Sequence, residues 1–300
     1  MVTRRSAIHG IGALAAALAL PPWPLSARGA GKPPRLRIGD TVGLIEPAGF
    51  SDGPADVEAV AHTIRGMGLV PKFGRHVAAR HGYLAGTDEQ RASDLNAMYA
   101  DPEVRAVFTV RGGWGCARIL PLLDWRTIRA NPKLLIGFSD VTALHLAFAS
   151  RTGFATIHGP NAANSWRETS WGSLWRLAFT GETPVLGAGE GAPPIATLRP
   201  GKARGRLLGG NLSVLTALVG TPWLPDFDGA ILFLEDTGEA EYRIDRMMSQ
   251  LALAGILAKV AGGMAAPISG MAGVLAANLR NLVGVLNAVA EKKQQTESAA

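Results

Sequence analysis

Val110-Arg111-Gly112-Gly113-Trp114-Gly115-Cys116-Ala117-Arg118-Ile119-Leu120 is the stretch on which the reading of this chain turns. An apolar run ends at Val110, three glycines pass within four positions, and a helical pattern begins near Cys116. Glycines there permit positive φ and close backbone approach. The expected geometry is a sharp strand-to-helix elbow, of the kind that exposes a nucleophile in hydrolases. A side chain at Cys116 then sits at a helix N-terminus. Free N–H groups around Gly113, Trp114, Gly115 and Ala117 can stabilise an oxyanion there. The helix dipole, with Arg111 and Arg118 close by, favours a thiolate. The plain alternative is a small apolar residue buried at a tight turn, because free cysteine is often buried. Trp114 either stacks on a substrate or covers the loop. No Gly-Lys-Ser/Thr follows the glycines, so a Walker phosphate loop is absent.

Outward from this turn, strand and helix patterns alternate. Val42-Gly43-Leu44-Ile45 is a short buried strand that ends at Pro47-Ala48-Gly49. Asp52 is positioned to cap a helix with Pro54 in its first turn and Val57, Val60 and Ile64 on one face. Leu69-Val70 opens a second strand, and Thr87-Asp88-Glu89-Gln90 reads as a capping box for a helix with Leu95 and Met98 inward. Residues 106–110, 134–136 and 155–157 are further strands. Ser139 or Asp140 caps a helix that carries Val141, Leu144 and Phe148. This alternation predicts a mostly parallel sheet covered on both faces. After about Asn164 the pattern changes. Residues 166–194 read as a linker, and 195–198, 204–208 and 230–234 as strands, with helices after Asn211 and from about Tyr242 to Leu253. The expected organisation is an N-terminal α/β domain over residues 35–165 and a smaller, β-rich C-terminal domain over 195–300.

The bulk numbers narrow the function classes. The 300 residues are 47% apolar and 18% charged, with 37 glycines and 19 prolines, which excludes disordered, collagen-like and coiled-coil proteins. The formal charge is +6, but Arg4, Arg5 and Arg28 lie in an acid-free first 30 residues. The weakly basic remainder has no basic run and gives no argument for nucleic acid. One cysteine excludes an internal disulfide, and no His-x-x-x-His or Cys-x-x-Cys supports a metal site. No cofactor is expected. Residues 1–30 read as an export signal: Arg4-Arg5, an apolar run over 11–20, then small residues. The paired arginines favour the twin-arginine route to the periplasm or the cell exterior. The apolar run is short for a bilayer, so no stable span is expected after signal removal.

Several blocks, in order, resemble the LD-carboxypeptidase family of serine peptidases, which includes the microcin-immunity peptidases. They are Leu36 to Pro47, Gly86-Thr87-Asp88, Arg111-Gly112-Gly113-Trp114-Gly115, Ile136-Gly137-Phe138-Ser139-Asp140, His158-Gly159-Pro160, Gly209-Gly210-Asn211-Leu212, Leu232-Phe233-Leu234-Glu235-Asp236 and Ile244-Asp245-Arg246. The resemblance covers about residues 36–262. It implies a flavodoxin-like N-terminal domain, a β-rich C-terminal domain and a site between them. It also implies murein-peptide substrates and release of a terminal D-alanine. It places the nucleophile directly after the glycine-aromatic-glycine turn, at Cys116, and the triad carboxylate at Glu235. The same resemblance sets an aromatic at Trp114 beside the substrate.

Two departures matter. The nucleophile position so mapped holds cysteine in place of serine. No histidine follows Glu235: the six are His9, His62, His76, His81, His145 and His158. His145 reads as packing inside a helix, and His158 as a candidate base or ligand at a strand end. Glu235 has its own plain reading, as a partner of Arg243 or Arg246. From about 263 the tail departs from the family. Leu275, Leu279, Leu282, Leu286 and Val289 suit one amphipathic helix for a core or homodimer contact. The readings left open are a hydrolase, a murein-peptide-binding protein without catalysis, and a tail shifted out of frame.

Overall fold

The computed structural model describes residues 32–183, 185, 196–197 and 200–260. The export signal, the helix expected over 275–289 and the two ends of the strand expected over 195–198 lie outside these residues, and residues 196–197 form no strand. Five strands form one sheet: β1 (Thr41–Ile45), β2 (Val70–Phe73), β3 (Val104–Thr109), β4 (Leu134–Gly137) and β5 (Ile157–His158). All four pairings are parallel, in the order β2-β1-β3-β4-β5. This is the flavodoxin-like order, with its switch point between β1 and β3. Val42, Leu44, Phe108 and Ile136 face one apolar layer; Ile45, Val107 and Leu135 face the other. Burial on both faces is why the central strands read as continuous apolar runs.

Helix α1 (Pro54–Gly66) covers one face with Val60 and Ile64. Its N-cap is Gly53, with no side-chain cap; Asp52 instead donates its backbone N–H to the Asp56 carboxylate. Helix α2 (Asp88–Ala100) starts at the expected capping box, with Thr87 and Gln90 bonded reciprocally. Helices α3 (Cys116–Ile119), α4 (Trp125–Ala130) and α5 (Thr142–Arg151) complete the other face. Within the expected linker, α6 (Glu168–Leu174) and the π-helical turn Trp175–Thr180 pack Leu174 and Ala178 under the first face.

Beyond it, β6 (Leu207–Asn211) and β7 (Ile231–Glu235) form a second, two-stranded parallel sheet, about three residues and one residue later than the sequence pattern suggests. Helices α7 (Leu212–Ala217), α8 (Glu241–Leu253) and α9 (Ile256–Lys259) surround it. One apolar cluster runs from Leu144 and Phe148 of α5 through Leu212 and Leu215 to Met248 and Leu251. The second sheet is thereby fixed beside the C-terminal ends of β4 and β5.

Candidate active site

Two strand-to-helix turns meet at that edge. The first follows β3. Gly113 and Gly115 take positive φ, 124° and 113°, and α3 begins at Cys116 as expected. The buried Arg91 guanidinium donates to the carbonyls of Pro47 and Gly115, and Gly49 N–H bonds Gly112 O at 3.0 Å. Trp114 stands exposed between its two glycines, with Gly113 and Ala117 exposed beside it.

Cys116, by contrast, is fully buried. Burial and the neighbouring Asp140 carboxylate push its thiol well above the ordinary range. The cations expected to favour a thiolate are engaged elsewhere. Arg118 is paired with Asp88 at 2.8 Å, and Arg111 donates to Phe50 O at 3.1 Å. The expectation of a presented, ionised thiol is therefore corrected: Cys116 is a packed residue at a tight turn. A helix of four residues supplies little dipole, and desolvation outweighs it.

The second turn follows β4, at Gly137-Phe138-Ser139. Ser139 has φ 65° and opens the 3-10 turn Ser139–Val141 that leads into α5. A non-glycine residue at positive φ costs roughly 1–3 kcal/mol and persists only where its surroundings over-determine it. They do so here. The Phe138 N–H and the Thr109 hydroxyl both reach Asn161 Oδ1, at 3.3 and 2.6 Å. Cys116 N–H donates to Asp140 Oδ2 at 2.8 Å. Asn211 N–H of the second sheet donates to Thr142 Oγ1 at 2.9 Å. A methyl group at Gly137 would lie 2.1 Å from Thr109 Oγ1, so only glycine fits.

Ser139 is half-buried, and its neighbour across the gap is Gly112. A Cβ at Gly112 would stand 3.1 Å from Ser139 Cβ and 3.3 Å from its Oγ. The glycines of the β3 turn thus make room for a side chain presented by β4. The positions picked from sequence as substrate-binding divide accordingly. Gly112 lies against Ser139, the space beside Gly113 meets Gly49, and Gly115 is backed by Leu84 and Arg91.

Glu235 ends β7, and its Oε1 lies 3.7 Å from His158 Nε2, beyond hydrogen-bond length. Burial and the adjacent Asp236 raise the Glu235 carboxyl, and burial lowers the His158 imidazole. Neither Glu235 Oε1 nor His158 Nδ1 has a hydrogen-bond partner among the described residues. His158 is the register partner of Gly137, so the pair lies close to the Ser139 elbow. His145 is a packing residue, as expected. Gly137 O can only accept, so Nε2 donates to it at 2.9 Å and Nδ1 takes the Thr156 hydroxyl at 2.8 Å. Around Glu235, Asp236 accepts from Ser213 and Asn211, and Glu239 pairs with Arg243.

Sequence reasoning missed Ser139 as a site residue and treated it as a cap. The available signal was Gly137-Phe138-Ser139 at a strand end, the first half of a Gly-x-Ser-x-Gly elbow with Val141 in place of the second glycine.

Fold and turns together define the class: a flavodoxin-like α/β protein with two tight strand-to-helix turns meeting at the C-terminal edge of its sheet. The chain belongs to the LD-carboxypeptidase family. The family's N-terminal domain matches residues 42–159 and its C-terminal domain residues 204–295. That second match reaches into the tail that looked unlike the family. The chain is 41% identical over 234 residues to a probable murein peptide carboxypeptidase of Bacillus subtilis, covering 77% of this chain and 73% of that protein. A crystal structure of muramoyltetrapeptide carboxypeptidase from Oxalobacter formigenes matches with a TM-score of 0.66 at 29% identity, covering 73% and 74%. The microcin C7 self-immunity protein, known from Escherichia coli, matches with a TM-score of 0.64 at 27% identity, covering 77% and 78%. It was solved as an active-site mutant that replaces a serine, an asparagine and a lysine by alanine.

Proposed function

We propose that the protein is an exported LD-carboxypeptidase that releases a terminal D-amino acid, D-alanine, from murein tetrapeptides, with Ser139 as its nucleophile. The observation that carries this reading is the positive φ of Ser139 at the β4 elbow, pressed against Gly112. In the reaction, Ser139 Oγ attacks the carbonyl that precedes the D-residue and passes its proton to a base. The tetrahedral oxyanion sits between the N–H of Asp140, the residue after the nucleophile, and an N–H of the Gly112-Gly113 loop. Collapse of the intermediate breaks the peptide bond, and the D-amino acid leaves as its amine takes up the proton. Water then cleaves the acyl-serine ester.

The base in this assignment is His158, with Glu235 beside its Nε2. Its lowered pKa keeps the ring neutral near pH 7, the state a base needs. The Arg4-Arg5 signal supports action on murein outside the cytoplasm.

The test is D-alanine release from a murein tetrapeptide, measured for the wild type and Ser139→Ala. Release by the wild type and its loss in the variant sustain the reading. A second reading rests on the lack of any histidine after Glu235: the cleft binds murein peptides without cutting them. Tight peptide binding by the wild type with no D-alanine released would establish that alternative. Fractionation of expressing cells checks export, and a protein confined to the cytoplasm contradicts it.

A further inference from the structure

Asn161 stands behind both turns, just past β5, and is 3% exposed. The two residues after it tie it to the end of β3: Ala162 and Ala163 donate their N–H groups to Thr109 O and Val110 O, at 2.8 and 3.0 Å. A side-chain amide so buried has an acceptor end and a donor end, and each costs free energy if left unpaired. The bonds that this side chain makes among the described residues use the acceptor end. Oδ1 takes the Phe138 N–H at 3.3 Å and the Thr109 hydroxyl at 2.6 Å. A backbone N–H only donates, so the amide oxygen is the atom that faces the β4 turn, and Nδ2 is turned away from it. The glycines give the same direction. A Cβ at Gly137 would stand 2.9 Å from Asn161 Oδ1, and one at Gly112 would stand 3.5 Å from Nδ2 and 3.3 Å from Ser139 Oγ. Gly112 therefore leaves open a space on which an amide donor and a hydroxyl converge.

We infer that Asn161 is a substrate-binding residue: its Nδ2 donates to a carbonyl oxygen of a peptide lodged between the β3 and β4 turns. This rests on the reading of the cleft as a site for murein peptides, and it holds whether a hydroxyl or a thiol is the nucleophile. Packing alone does not call for asparagine here. A side chain that only fills the space is apolar, and a carboxylate serves equally well to accept from Phe138 and Thr109. The donor end is what neither role explains. The donor is also preorganised. Its amide is held from two strands, so a bound carbonyl meets it with little loss of side-chain freedom. Being uncharged, the amide suits a peptide carbonyl, whereas a free carboxylate is bound more strongly by a cation.

The experiment compares Asn161→Asp and Asn161→Leu with the wild type on a murein tetrapeptide. The readout is kcat/KM for D-alanine release, or Kd by calorimetry where the peptide is bound uncut. Aspartate keeps oxygens that accept from Phe138 and Thr109 but lacks the donor; leucine lacks both ends. In each variant kcat/KM should fall, or Kd rise, about tenfold to a hundredfold. The loss in Asn161→Asp should be at least as large as in Asn161→Leu, because it sets one oxygen against another. Wild-type values in Asn161→Asp overturn the inference, since they show that the acceptor end is all that matters. Should the variants fail to fold, the wild type carries the test. The Asn161 side-chain amide resonance of the 15N-labelled protein should shift as the tetrapeptide is added, and a resonance that stays in place overturns the inference. D-alanine release that is equal in wild type and Asn161→Asp removes this inference and leaves the peptidase reading standing. Peptide bound but never cut removes the activity, and Kd then decides the role of Asn161. A wild type that neither binds nor cuts the tetrapeptide overturns both.

Discussion

The two turns at the sheet edge are built in opposite ways. The β3 turn is rich in glycine, and its positive φ values fall on residues that adopt them at no steric cost. The β4 turn carries one glycine and puts the positive φ on a serine. The first turn is roomy; the second is strained and anchored by Asn161, Cys116 and Asn211. Glycines mark where a backbone must yield space, whereas Ser139 is a non-glycine held in a conformation it resists. Cys116, at the end of the roomy turn, is buried; Ser139, at the strained one, is presented.

The largest expected effect lies in the strained turn. Gly137→Ala drives a methyl into Thr109 and Asn161 and should destabilise the protein by about 3 kcal/mol in chemical denaturation. An unchanged midpoint would show that the elbow has slack. Next comes the histidine beneath it. Burial holds His145 down to about 4, against 6.5 when exposed. Between these values the unfolded chain takes up a proton that the folded chain refuses. Stability is then complete above about pH 6.5 and falls as pH drops toward 4, by on the order of 2–3 kcal/mol. His158 shifts in the same direction. His145→Gln keeps a donor toward Gly137 O and should flatten most of this dependence, as read from denaturation midpoints at pH 4.5 and 7. A slope that survives the substitution assigns the effect to another group.

Gly112→Ala sharpens the comparison through activity. Its methyl meets Ser139, so kcat should fall about tenfold to a hundredfold, while the thermal midpoint moves little. The smallest effect belongs to the outer face of the roomy turn. Arg118→Ala removes an exposed pair with Asp88 and should cost less than about 1 kcal/mol. A larger loss would mean that the β3 turn is as tightly determined as its partner.

Much of the fold was legible. Apolar runs placed the five strands of the parallel sheet within a few residues, and Thr87 with Gln90 announced the start of α2 by local chemistry alone. Asp52 was misread because an acidic residue before a proline looks like a cap; Gly53 intervenes, with φ 157°, a backbone that turns the chain without one. The sheet edge was legible through the family resemblance, which implies a flavodoxin-like domain; strand alternation by itself predicts only a mostly parallel sheet. The strained conformation of Ser139 was not legible. The sign of φ at Ser139 is imposed by Asn161, Cys116 and Asn211, residues 22, 23 and 72 positions away. Nothing in the local string Phe138-Ser139-Asp140 reveals it. The burial of Cys116 is likewise tertiary, set by packing of α3 against α2 and α5.

The most direct test sets the two turns against each other: D-alanine release from a murein tetrapeptide by Ser139→Ala and Cys116→Ala, measured in parallel with the wild type. Loss of at least about a thousandfold in Ser139→Ala, with Cys116→Ala within about threefold of wild type, is the predicted result. The reverse pattern, with release abolished by loss of the thiol and kept without the hydroxyl, contradicts the assignment of the β4 elbow as the reactive turn.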